Sequence, residues 1–259
     1  MKKLAFLFIA IVAIASLSAC RIEKVYEKNE PKKAFTLNLR DFNSISNQSN
    51  CNIFFTQSDT FKVVLKAPQH WYDTHTIAVR DGQLTIEEKP QKKQKGITVL
   101  RFNSYSQDAV MYVSAPSLTA LSTAGSGDFY AETDLTGQSF VMQTAGSSTS
   151  MLKRVVMTDD FAYKLAGSGE INADTIQAKT ASFRIAGSGE VRVKLVNVDD
   201  TKLAIAGSGS GQLNFDQCGH AKVAISGSGD ITLAGTLHSL DKDIAGSGDI
   251  DTSKLQWQK

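Results

Sequence analysis

Five carboxylates follow a glycine-rich motif at near-constant spacing: Asp128, Glu170, Glu190, Asp230 and Asp249. If that spacing stacks them, neighbouring acids stand ~5 Å apart and repel. A cation, hydrogen bonds from turn amides, or water would relieve the repulsion. Calcium-binding Gly-Gly-x-Gly-x-Asp repeats use a nine-residue period with acidic turns facing one another. The spacing here does not supply that geometry, so exposed turn acids that keep a sheet edge soluble are the simpler reading. No metal ligand set and no cofactor is assigned.

A second cluster has the residue types that anchor ligands. His70 and His75 flank Trp71 and Tyr72, and Arg101, Phe102 and Tyr105 follow downstream. Aromatic and arginine side chains carry most affinity in binding sites, so Trp71, Tyr72, Arg101 and Tyr105 are the candidate ligand-binding residues, for a glycan or a protein. The competing reading is a packed or half-exposed loop. The four histidines, His70, His75, His220 and His238, are scattered, with no nucleophile or paired carboxylate around them. The residues therefore point away from catalysis. Lys and Arg number 28 against 26 Asp and Glu, a balance that gives no signal for nucleic acid. The basic stretch Lys89 to Lys95 reads as a solvated hairpin tip.

What must position these residues is a repeat. The motif glycines are Gly125, Gly146, Gly167, Gly187, Gly207, Gly227 and Gly246, so the steps are 21, 21, 20, 20, 20 and 19 residues. A fixed period of this size is the mark of stacked coils. Alternation is present on both sides of the motif. Two residues before the glycine stand Thr123, Thr144, Leu165, Ile185, Ile205, Ile225 and Ile244. Four before it stand Leu121, Met142, Tyr163, Phe183, Leu203 and Val223, with Lys242 breaking the column in the last copy. After the motif come Phe129, Ile171, Val191, Ile231 and Ile250, and two residues later Ala131, Leu152, Ala173, Val193, Leu213 and Leu233. Period-2 columns of this kind predict strands with one face buried, and place Lys164, Arg184, Arg192 and Asp243 toward solvent. Gly-Ser-Gly then turns the chain between strands. The expected fold is an all-β solenoid of ~20-residue coils. The steps of 19 to 21 residues leave no room for the long inserted loops with which β-helix polysaccharide enzymes build a cleft.

From Ala34 to Pro116 the chain alternates in the same way without the signature, and Asp81-Gly82 predicts a tight turn between Thr76–Val79 and Gln83–Glu87. This part is expected to begin the solenoid and to cap it. Nothing from Val110 to Ala120 reads as a linker, so residues 34–259 are taken as one domain, with the glycine repeats over 121–252. Residues 1–19 read as a leader: Lys2 and Lys3, an apolar run from Leu4 to Ala15, then Leu17-Ser18-Ala19-Cys20. That ending resembles a bacterial lipobox, which implies lipid attachment at Cys20 and a membrane-anchored protein. Residues 20–33 form a polar tether. Arg21, where some enteric lipoproteins carry an inner-membrane aspartate, favours the outer membrane, with the periplasmic or surface face left open. Cys51 and Cys218 fall many coils apart, beyond the ~7 Å Cα reach of a disulfide, so two buried thiols are expected.

An ordered set of motifs carries a family resemblance. Phe42-Asn43-Ser44-Ile45, Asn52-Ile53-Phe54-Phe55-Thr56-Gln57-Ser58, Asp81-Gly82-Gln83-Leu84-Thr85-Ile86 and Ala115-Pro116-Ser117-Leu118 lead into Ala124-Gly125-Ser126-Gly127-Asp128. Together they resemble the head GIN domain family of autotransporter-type adhesin heads, common in Bacteroidetes. The resemblance runs from about Phe35 to the C-terminus and implies a right-handed parallel β-helix, an adhesive role in the cell envelope and no catalytic residues. The chain departs from the pattern at Ser148, where the second glycine is missing, and at Ser210, where the acid is missing.

The lipid anchor gives the first test. Cys20→Ser should abolish labelling by a fatty-acid probe and release the protein from membranes; unchanged membrane partitioning would contradict the lipobox reading.

Overall fold

Each Gly-Ser-Gly corner lies so close to the corner before it that a side chain has no space. Gly207 has φ +124°, and a Cβ there would stand 2.4 Å from the carbonyl oxygen of Gly187. The other first glycines of the motif repeat this geometry, with φ between +124° and +141°. The close approach lets backbone groups pair from coil to coil. Ser208 N–H donates to Gly187 O at 3.0 Å, Ser228 N–H to Gly207 O at 2.9 Å and Ser247 N–H to Gly227 O at 2.9 Å. Corner and strands thus form one continuous ladder.

The computed structural model describes residues 30–90 and 109–258. Strands leading into the corners make a parallel front ladder. Its order is β6 (Gln83–Glu88), β2 (Ser44–Gln48), β8 (Ala120–Gly125), β11 (Phe140–Gly146), β13 (Asp160–Gly167), β15 (Thr180–Gly187) and β17 (Asp200–Gly207), then the second halves of β18 (Ser210–Gly227) and β19 (Asp230–Gly246). Strands leaving the corners make a parallel back ladder. It runs β7 (Val110–Ala115), β3 (Asn52–Gln57), β9 (Phe129–Ala131), β12 (Thr149–Met157), β14 (Glu170–Gln177) and β16 (Glu190–Val196), the first halves of β18 and β19, and β20 (Asp249–Trp257). A short β10 (Leu135–Gly137) pairs with the end of β12. Register shifts at Ala173/Ile176, Phe215/Cys218 and Thr232/Ala234 bend the back strands, as bulges do.

The solenoid predicted from the period is therefore present, and the columns point where alternation placed them. Phe183, Leu203 and Val223 are at most 1% exposed, and Ile185, Ile205 and Ile225 are each 2% exposed. Stacking fully buries Tyr163, whose hydroxyl is pushed up to about 12 by desolvation. Where the motif departs at Ser148, the interior changes with it. Thr123 and Thr144 replace the bulkier Leu or Ile, and the Thr123 hydroxyl pairs with Thr144 Oγ1 at 3.2 Å and with Ser148 Oγ at 3.1 Å. A buried hydroxyl is tolerated because it is hydrogen-bonded.

The N-terminal third stacks in a different order from its sequence. The β2–β3 pair, with Ser49-Asn50-Cys51 at its corner, lies between β6–β7 and β8–β9. Beyond it the direction reverses: β5 (His75–Arg80) runs antiparallel on β6, β4 (Lys62–Ala67) on β7, and β1 (Lys33–Leu37) on β4. These antiparallel-paired strands are the cap. Asp81 and Gly82, at φ +51° and +74°, make the tight turn between β5 and β6. Cys51 and Cys218 are free and buried, and burial pushes the Cys51 thiol up to about 12.

The corner contact makes a quantitative test. Gly207→Ala should cost on the order of 3 kcal/mol in urea unfolding, from a strained φ and a backbone clash. Ala206→Ser, on the exposed neighbouring position, should stay within about 0.5 kcal/mol.

Candidate functional site

The residues that could do chemistry lie on the outer surfaces of the coils. At the corner, the acids do not form an unbroken run. Register sets Thr149 against Glu170, and Ser210 between Glu190 and Asp230. The remaining adjacent pairs are Glu170–Glu190 and Asp230–Asp249. The first pair is neutralised from the side. Arg192 reaches Glu170 through Nη1 and Glu190 Oε2 through Nη2 at 2.6 Å, and Asn172 Nδ2 donates to Glu170 Oε1 at 2.8 Å. Asp128 accepts the Thr149 backbone N–H at 2.9 Å and the Tyr130 hydroxyl at 3.2 Å. The repulsion expected of stacked acids is thus relieved at Asp128, Glu170 and Glu190 by interruption, by arginine and by a backbone amide, while Asp230 and Asp249 stay adjacent at the exposed end of the stack. Among the described residues, no three His, Cys, Asp or Glu side chains gather as a metal site.

The aromatic pair expected to hold ligand is engaged in packing. Trp71, on α1 (Gln69–Thr74), is 6% exposed. Its ring stacks on His75 at 3.8 Å and its Nε1–H donates to Asn50 Oδ1 at 3.1 Å. Burial holds His75 below its usual pKa. Tyr72 stacks on Phe35 at 4.3 Å. Trp71 thus ties the helix to the β2–β3 corner, while Tyr72 packs on β1 within the cap. Arg101 and Tyr105 lie outside the described residues, as do Cys20 and most of the tether. At the point where the tether enters, Glu30 accepts the backbone N–H groups of Gln69 and His70 and pairs with His70 Nδ1 at 2.5 Å. The His70 hydrogen bond lowers the Glu30 pKa, so this clasp contributes above the ordinary carboxylate range and is lost as pH falls through the lowered value.

Three outer features were not anticipated. The first is an aromatic ladder on the back face. Phe54 stacks between Tyr112 at 5.4 Å and Tyr130 at 4.7 Å, with Lys66 Nζ 4.9 Å from the Tyr112 ring centre. Met151 follows in register. The rings use their faces on one another, so the ladder is chiefly a brace. Its signal was available: Asn52-Ile53-Phe54 aligns with Asp128-Phe129-Tyr130 once Cys51 is taken as a corner.

The second is a front-face groove of about 620 Å³ that crosses the coils from Ser122 to Ala245. Its floor is the exposed column Ala124, Ala145, Ala166, Ala186, Ala206, Ser226 and Ala245, with Lys164 and Arg184 adjacent in register along it.

The third is a back-face groove of about 410 Å³ at the bulges, lined by Asn172, Asp174, Arg192, Lys194, Gln212, Asn214, Thr232 and Lys254 among others. Lys194 is paired with Asp216 at 2.8 Å. With Arg192 also paired, the groove presents amide and hydroxyl groups more than net charge.

Fold and surface define a β-solenoid that offers elongated grooves. A family profile described as "Putative auto-transporter adhesin, head GIN domain" matches residues 41–217 and 193–259, and the chain belongs to that family. Solved structures share the fold. A "putative adhesin" from Bacteroides fragilis superposes with a TM-score of 0.70 at 18% identity, covering 88% of this chain and 99% of that one. A "putative lipid binding protein" from Parabacteroides distasonis gives 0.67 at 25% identity, over 86% and 97%. A second "putative adhesin" from Parabacteroides distasonis gives 0.62 at 19%, over 86% and 98%. No curated protein matches the chain. Among the described residues, no helix is long and apolar enough to cross a membrane.

The charge arrangement at the corner predicts an asymmetry. Asp230→Asn with Asp249→Asn should change unfolding free energy by less than about 0.5 kcal/mol, with or without calcium. Arg192→Ala should cost up to about 1 kcal/mol at neutral pH, screened by salt. A calcium-dependent melting temperature would overturn this reading.

Proposed function

We propose that this protein is a non-catalytic binding element of the cell envelope, anchored through lipid on Cys20, and that its back-face groove holds an extended glycan. The observation that carries the reading is the cluster of Gln212 and Asn214 on β18 with Thr232 beside Gln212 in register on β19, next to the bulges. Among the described residues, no hydrogen bond from these three side chains occupies them. Amides offer both donors and acceptors, which matches the dual character of sugar hydroxyls. Gln212 and Thr232 stand one ladder step of ~4.8 Å apart, comparable to one pyranose unit of a polymer. Membership of an adhesin-type family agrees with a surface that grips rather than reacts.

A second reading is supported by the front groove. Its alanine floor is apolar, and the Parabacteroides distasonis relative is named for lipid binding. An acyl chain along the floor with an anionic head at Lys164 and Arg184 is the ligand this groove would take.

Glycan-array and fluorescent fatty-acid binding separate the two. Gln212→Ala with Asn214→Ala should lower glycan affinity at least about tenfold, ~1.4 kcal/mol, while Ala186→Glu leaves it unchanged. Glycan binding that survives the first variant sinks the back-face reading. Fatty-acid binding abolished only by Ala186→Glu puts the second reading in its place.

A further inference from the structure

The two ends of the solenoid are finished differently. At the N-terminal end, the antiparallel-paired strands β1, β4 and β5 close the stack. At the other end, among the described residues, the second half of β19 and β20 are paired on one side only. Their free sides present unpaired backbone donors and acceptors, the usual template for another strand. The core is cut open there as well. Ile244 and Trp257 are 43% and 57% exposed, yet they stand in register with Ile225 and Leu237, which are 2% and 0% exposed. An exposed edge backed by apolar core residues would ordinarily associate.

In the middle of that edge stands Asp241-Lys242-Asp243, all three exposed. Lys242 occupies the register position of Val223 and Leu203, which are core residues in the coils before. Among the described residues, the run makes a single ion pair, a loose contact of Asp241 Oδ2 with His220 Nε2 at 3.6 Å.

We infer that Asp241-Lys242-Asp243 is a charge block that stops this end from pairing with a second copy of the chain. Two copies meeting edge to edge with their cores continuous must pair antiparallel about a two-fold axis. Residues opposite one another then share the same face. The register of full overlap sets Lys242 against its own copy and Asp241 against Asp243 of the other. Sliding by one step either way sets Asp243 against Asp243, or Asp241 against Asp241. Like charges directly opposite are destabilising, and each of these registers creates them. Larger slips escape the repulsion but shorten the overlap and leave the core uncovered. Any partner that covers the end must also bury the Lys242 ammonium, an inward charge of the kind that protects sheet edges.

Charge exchange tests this on the full chain carrying Cys20→Ser, so that lipid does not drive association. The parent should be monomeric by light scattering. A neutral variant, Asp241→Thr with Lys242→Val and Asp243→Thr, should self-associate with rising concentration. An inverted variant, Asp241→Lys with Lys242→Asp and Asp243→Lys, should be monomeric alone. Mixed with the parent it should give a 1:1 heterodimer, because each like-charge pair becomes an opposite-charge pair. A dimeric parent, a neutral variant that stays monomeric with an unchanged strand spectrum, or a mixture without heterodimer overturns the inference.

Discussion

The approach of each glycine corner to the carbonyl of the preceding corner is the contact on which the remaining structure depends. It leaves no room for a Cβ and fixes the height of one coil on the next through Ser N–H to Gly C=O bonds. Once that height is fixed, strands on both sides of the corner have a single register. A slip by one residue would turn every column inside out. The interior then follows from local size matching, as Thr123, Thr144 and Ser148 show by changing together where the motif lapses.

A fixed register also makes the outside periodic, and periodicity there creates both problems and surfaces. Identical side chains recur beside themselves, so charge must be managed by interruption at Thr149 and Ser210 and by bridging at Arg192. Rings recur as a stack braced on the back face. Small residues recur as an open apolar floor on the front face, and mixed polar side chains gather at the bulges. The outer surface of a solenoid is thus made of such columns rather than of a single pocket, and the proposed binding role would use them as extended contacts.

Much of this was legible in the residues. The steps of 19 to 21 give the coil, and alternation around Gly187 or Gly207 gives the inward columns, because parallel stacking preserves what each strand declares locally. The hairpin at Asp81-Gly82 is equally local. What could not be read is non-local. No period announces that β2–β3 stacks between strands that come later in the chain, since that order is set by tertiary closure of the N-terminal end. Trp71 has the composition of a ligand anchor, but only its position against Asn50 and His75 shows that it is packing. The back-face groove lies where bulges bend the strands, and a register shift such as Phe215/Cys218 leaves no mark in composition.

Native-state hydrogen exchange tests the central claim most directly, because protection reports local opening. If the corners lock the register, the amides of Ser188, Ser208 and Ser228 exchange as slowly as those in the middle of β15 and β17, through the same cooperative opening. Corner amides that exchange at the rate of exposed turns while those strands stay protected would contradict the account.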